Sequence, residues 1–324
     1  MREWMNVFAP ATVANVGPGF DCMGFALETP GDIVRARLTT SGYVEIADIR
    51  YADARDAHKL PLEADRNTAG VAASRVLRIF HDCKTFDAGT GIELIVEKHL
   101  PLGSGMGSSG ASAVAAAWAV NLLAGAPLPK DDPDLLLACI EAEAARSGFH
   151  ADNVAPALLG GFVLIRSYTP LDVVQLDAPK NMVCVLVMPE FTLPTRQARA
   201  VIPQQVPFRE AVVPQCANAA GLIAGLWRQD LALIGRSIDD NIVEPARAPL
   251  IQGFAAVKEA ALQHGAFGCS ISGAGPSVFA ITESSEQGQR IGQVMVDAFA
   301  RHGLANSAVY VSHVNRVGAK EIDA

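Results

Sequence analysis

Aromatic side chains make up only 6% of the 324 residues and charged ones 19%. No uninterrupted apolar run reaches the roughly 18 to 20 residues that cross a bilayer, and the opening MREWMNVFAP carries no apolar segment of signal-peptide length. None of the six cysteines (Cys22, Cys83, Cys139, Cys184, Cys216, Cys269) belongs to a C-x-x-C pair. A zinc ribbon and a thioredoxin-type site are therefore not indicated, and the cysteines read as buried thiols in a reducing compartment. The histidines form no H-E-x-x-H, no G-x-S-x-G is present, and no lysine stands where a Walker A loop requires one. A zinc hydrolase, an acyl-transfer triad and a P-loop NTPase are set aside on these grounds. The formal net charge of −8 argues against nucleic-acid binding, which needs clustered Lys and Arg. These absences describe a soluble, cytoplasmic globular protein with neither nucleic acid nor membrane as a partner.

The chain is long enough for two domains or one large one. Gly91 to Leu100 alternates like a half-buried strand, and Ala111 to Ala124 reads as a helix of small residues closed by Gly125 and Pro127. Asn67 or Thr68 to Phe80, with a polar N-cap, and Asp134 to Arg146, after Pro133, are further helices. Phe162 to Arg166, Met182 to Met188, Ser277 to Thr282 and Ala308 to Ser312 read as strands. Between them lie helical stretches at Gln215 to Trp227, Phe254 to His264 and Glu286 to His302. This interleaving predicts helices layered on a sheet, with a change of domain between residues 160 and 175. The expected division is 1–165 for an N-terminal domain and 166–324 for a C-terminal one.

Of 28 glycines, four cluster in Pro101, Leu102, Gly103, Ser104, Gly105, Met106, Gly107, Ser108, Ser109, Gly110 and Ala111, between the strand and the helix. Glycines let backbone N–H groups approach an anion, and the helix N-terminus behind them adds free donors and a favourable dipole. The run predicts a phosphate-binding loop. Gly105, Gly107 and Gly110 also satisfy G-x-G-x-x-G, with Asp131 and Asp132 about 20 residues on. A dinucleotide-binding unit should return to a parallel strand after its helix, whereas Asp134 onward reads as helix.

PLGSGMGSSGAS resembles the ATP-binding motif of the GHMP small-molecule kinases. APATVANVGPGFDCMGFAL (Ala9 to Leu27) resembles their first motif, and SISGAGPSVFAI (Ser270 to Ile281) their third. Within that superfamily SGFHADNVAPALLGGFVL, PTRQARAV and DDNIVEPAR are most similar to the homoserine kinases. The resemblance implies a two-domain α+β fold. Its N-terminal half is a left-handed β-α-β domain of the ribosomal protein S5 domain 2 type; its C-terminal half is ferredoxin-like. It also implies phosphoryl transfer from ATP to the hydroxyl of L-homoserine with Mg²⁺, threonine biosynthesis, and a homodimer.

The residue roles follow by motif position. The loop Pro101 to Ala111 would hold the ATP phosphates, Gly273 and Gly275 would close the site beside it, and Asn67 would contact the adenine. The metal falls to Ser109 and Glu143, with Ser108 and Glu141 near enough to compete. Arg199 and Arg247 match the carboxylate-binding arginines, a task suited to a planar guanidinium. Asn15 and Asp21 would receive the ammonium, and His150, Asp152 and Asn153 would complete the acceptor pocket. No general base is assigned, since the first motif offers no lysine. Another GHMP-type kinase remains the alternative.

Overall fold

The computed structural model describes residues 4–144 and 148–323. Two sheets organise it. The first has seven strands: β1 (Met5–Ala14), β2 (Met23–Thr39), β3 (Val44–Tyr51), β4 (Gly91–Lys98), β5 (Phe162–Tyr168), β6 (Leu171–Leu176) and β11 (Lys320–Glu321). Its order is β11-β1-β2-β4-β3, with β5 paired to the start of β2 and β6 beyond it. The sheet thus extends past the expected division at 165/166 and takes back the C-terminal strand. β3 and β4 run parallel, joined through α1 (Thr68–Asp82). Asn67 caps α1 by accepting from the Ala69 N–H.

The other helices of this half are α2 (Ser108–Leu123), α3 (Pro133–Ala144) and α4 (Ala151–Leu159). α2 is the predicted small-residue helix, begun three residues earlier, inside the glycine run. Alanines line it on every side, so it carries no polar face and is buried between β1 and β2 and the helices α1, α3 and α4. The predicted helix ending at Arg146 is described to Ala144; its last two residues, like Ser147 of the family-like segment, lie outside the described residues. The run HADNVAPA, which does not read as a generic helix, is the start of α4. Pro156 lies inside this helix, where it has no N–H to offer the Asp152 carbonyl one turn back.

The second sheet is built from β7 (Val183–Met188), β8 (Gly268–Ile271), β9 (Val278–Thr282) and β10 (Ala308–His313), in the order β10-β7-β9-β8. With α9 (Phe254–Gln263) and α10 (Ser285–Arg301) it forms the antiparallel βαββαβ pattern of a ferredoxin-like domain. Between β7 and α9 the chain inserts α5 (Thr195–Ala200), α6 (Val213–Arg228), α7 (Leu231–Arg236) and α8 (Val243–Arg247).

The continuous apolar texture of β7 has a direct cause: both faces of the strand are covered. Val185, Val187, Val278 and Ala280 face α9 and α10, whereas Cys184, Leu186, Phe279 and Ile281 join the core of the first half. Phe279 meets Phe25 edge-on at 6.1 Å, and Phe25 stacks on Phe162 at 4.6 Å. The halves therefore share one core. Phe279→Ala removes the ring that joins them and should cost about 3–5 kcal/mol. Denaturant unfolding followed by circular dichroism should still show a single transition; two separated transitions would refute a shared core.

Candidate functional site

After β4 the chain enters the glycine loop at Pro101, and Leu102 N–H donates to Asp56 Oδ2 at 2.9 Å. Gly105 and Gly107 take positive φ, 79° and 70°. A Cβ on Gly105 would lie 2.6 Å from the Ser272 carbonyl oxygen, and one on Gly107 would run into Thr12 Oγ1. Only glycine meets both demands, of torsion and of space. Gly107 is the N-cap of α2, so the first N–H groups of the helix have no acceptor within it. They open onto a cleft whose walls include Gly103, Ser104, Gly105, Gly107, Ser108 and Ser109.

The third motif brackets this loop. Ser272 Oγ donates to Gly105 O at 2.7 Å and Ser277 Oγ to Ser104 O at 2.6 Å. Gly273 N–H donates to Ala14 O at 3.1 Å, and the Asn15 amide donates to Gly273 O at 2.7 Å. The loop between β8 and β9 thus ties the end of β1 to the glycine run.

At the other end of the cleft Arg199 makes a bidentate pair with Asp21, at 2.7 and 3.0 Å. Its Nη2 also lies 3.2 Å from His150 Nδ1. Arg247 is buried at 3% exposure, its Nε and Nη1 donating to Ala198 O and Gly273 O. Both guanidinium groups stack against Phe20. Asp152 Oδ2 accepts from Asn15 N–H at 3.3 Å, while its Oδ1 is buried without a partner. Burial pushes the Asp152 carboxyl up to about 6; His150 opposes that shift and the neighbouring Asp21 adds to it.

Of the sequence-predicted residues, Asn15, Asp21, Glu143, His150, Asp152, Asn153, Arg199, Arg247, Gly273 and Gly275 line this one cleft with most of the loop. Pro101, Met106, Gly110 and Ala111 shape the loop from behind and do not line it. Asn67 stands apart as well: its amide caps Ala69 N–H and donates to Pro61 O. The two candidate glutamates separate clearly. Glu143 is buried in the cleft wall against Gly110, whereas Glu141 forms an ion pair with Arg75 outside it. Ser108 Oγ donates to Leu100 O, and Ser109 is exposed at the cleft.

Leu193 and Thr195 also line the cleft. Thr12, Asp240 and Glu244 lie behind it: Thr12 Oγ1 donates to Asn153 Oδ1, and Asp240 caps α8 at the N–H groups of Val243 and Glu244. Thr12, Thr195, Asp240 and Glu244 fall inside the family-like segments without a role assigned to them, and Leu193 stands just before one.

The GHMP kinases N terminal domain family matches residues 68–161, and the GHMP kinases C terminal family matches residues 222–301. A homoserine kinase of Chlorobium phaeovibrioides is 46% identical over 97% of this chain and 98% of its own length. One of Arabidopsis thaliana is 45% identical over 99% of this chain and 85% of its own. The chain belongs to the homoserine kinase family of the GHMP kinases. The crystal structure of homoserine kinase from Cytophaga hutchinsonii superposes with a TM-score of 0.91 at 47% identity, covering 99% of this chain and 98% of that one. The two-domain α+β expectation is therefore met, and the described residues contain no helix long and apolar enough to cross a membrane.

In this homoserine kinase fold Asp152 carries a stability cost. Folded, its carboxyl keeps its proton up to about 6, against an ordinary value of 3.8. Its contribution to stability is full below 3.8 and is lost as pH rises through about 6. Asp152→Asn mimics the protonated form. At pH 8 it should raise the unfolding free energy by on the order of 2 kcal/mol, with the gain fading at acidic pH. A variant less stable than wild type at pH 8 in thermal melts would contradict this.

Proposed function

We propose that the chain transfers the γ-phosphoryl group of ATP to the side-chain hydroxyl of L-homoserine, giving ADP and O-phospho-L-homoserine for threonine biosynthesis. The observation that carries this is a single cleft with two chemically opposite ends. A backbone cradle for phosphate lies at one end, and paired arginines and aspartates suited to a zwitterion lie at the other. Phosphoryl transfer is mostly positioning and charge neutralisation, which two such ends provide.

The N–H groups of the loop and of the first turn of α2 would hold the phosphates. The oxygen donors nearest them, the exposed Ser109 hydroxyl and the buried Glu143 carboxylate, suit Mg²⁺. Bound there, Mg²⁺ would neutralise charge on the β- and γ-phosphates. The carboxylate of homoserine would take Arg199 and Arg247, and its ammonium Asp21 and the open Oδ1 of Asp152. In this structure Asp21 and Arg199 satisfy each other, so the zwitterion exchanges one internal ion pair for two pairs with the substrate.

Asn153 lies between the ends, its amide oxygen against Gly107 and accepting from Thr12. Neither side chain can take a proton at neutral pH, and Asp152 sits among the groups assigned to the ammonium. The hydroxyl proton passes late, to the transferring phosphate itself, with no side chain as base.

With ATP and Mg²⁺, ADP release should appear with L-homoserine and stay at background with mevalonate, galactose and shikimate. Preference for one of those three would point to another GHMP-type kinase. Arg247→Met removes a charge-assisted contact to the carboxylate. It should raise the homoserine KM by about 30-fold or more, equivalent to about 2 kcal/mol, with the ATP KM little changed. Asp152→Asn should weaken homoserine binding and retain turnover at saturation. Abolished turnover with both substrates still bound would establish Asp152 as a base.

A further inference from the structure

Beneath the phosphate loop lies an ion pair to which the reaction assigns no role. Lys98, the last residue of β4, is 3% exposed, and its partner Asp32, in β2, is 0% exposed. The ammonium has three donors and uses all of them. One goes to Asp32 Oδ2, one to Ser112 Oγ at 2.8 Å and one to the carbonyl oxygen of Ser108 at 2.8 Å. Asp32 is equally committed. Its Oδ1 accepts from the N–H groups of His99 and Leu100, both at 2.9 Å, and its Oδ2 also accepts from Ser112 Oγ.

Two features set this pair apart from a cross-link that merely holds strands together. A buried ion pair returns in attraction about what it loses in desolvation, and apolar side chains of similar volume often hold a fold as well. Its charges therefore call for a reason other than stability. The third donor supplies one. The Ser108 carbonyl belongs to the first turn of α2, and its peptide group ends in the N–H of Ser109, a residue that lines the cleft. A cation on the oxygen of a peptide draws electron density from its N–H, which strengthens that N–H as a donor. Asp32 cancels the net charge, so the cleft gains a fixed and polarised peptide without gaining a buried positive field.

We propose that Lys98 is a positioning residue for ATP. Through its bond to the Ser108 carbonyl it fixes and polarises the first turn of α2 toward the phosphates. This rests on the loop being the phosphate site. The two substrates should separate the effect, because Lys98 touches nothing at the Arg199 and Arg247 end.

Lys98→Met alone leaves Asp32 buried without its cation and is expected to fold poorly. The informative protein is the full chain carrying Lys98→Met together with Asp32→Asn, which removes both charges and keeps the shape. Its melting temperature should return close to that of wild type. Its ATP KM should rise about tenfold, the loss of one hydrogen bond to a charged group, with the homoserine KM unchanged within twofold. Calorimetric titration with a non-hydrolysable ATP analogue should show the same loss of affinity. That measurement needs no acceptor, so an error in the acceptor assignment would not disturb it. An unchanged ATP KM in the double variant overturns the proposal, and so does an equal rise in both KM values.

Discussion

One backbone carbonyl, that of Gly273, receives the Asn15 amide at 2.7 Å and the Arg247 guanidinium at 2.9 Å. The N–H of the same residue reaches back to Ala14 O. Four segments distant in sequence meet at this point: the end of β1, the glycine loop through its neighbour Ser272, the short helix α8, and the turn between β8 and β9. The turn belongs to the second sheet and β1 to the first. The cleft can be no better defined than the packing of one sheet against the other. That packing is set by Phe25, Phe162 and Phe279 in the shared core. Interiors of this kind are close-packed and do not deform gradually. A core substitution far from the cleft would therefore alter the distance between phosphate and acceptor, on which phosphoryl transfer depends.

A chain of net charge −8 that handles ATP must solve an electrostatic problem. It does so without a basic surface. At the phosphate end the positive potential comes from oriented N–H groups, which carry no net charge and cannot attract the wrong polyanion from a distance. At the acceptor end, full charges of both signs are packed together. The Asp21 and Asp152 carboxylates and a His150 ring nitrogen lie within 4.8 Å of one another, balanced by Arg199. A pocket balanced in this way favours a zwitterion over a simple cation or anion, because either of those would leave one internal charge unpaired.

The legibility of the sequence varied with the cause of each element. β7 and β9 were readable because both faces are buried and the residues are continuously apolar; α2 was readable because small residues fill a helix-length run. β1 and β2 escaped. β1 carries Pro10 and β2 runs 17 residues through Pro30 and Gly31, so neither alternates cleanly. α8, only five residues long, has no periodicity to detect, yet it carries Arg247. The cleft residues were legible through their motifs, whose local order survives folding. Lys98 and Asp32 were not, since 66 positions separate them and only the pairing of β2 with β4 brings them together.

Among the described residues, three buried side-chain atoms lack a partner: Asp152 Oδ1, Arg199 Nε and Asn241 Nδ2. Two belong to the acceptor end, one an anionic acceptor and the other a cationic donor. Native proteins leave few such atoms, and each costs free energy that folding must offset elsewhere. A stray orphan could be of either kind and lie anywhere. An acceptor and a donor placed together in one pocket form the complement of an ammonium beside a carboxylate. On the proposed function, the unmet hydrogen bonds are those that an α-amino acid would supply. On the proposed reading, the strain of Asp152, a carboxyl held up to about 6 by its own burial, is the cost of keeping that half of the site ready before the substrate arrives.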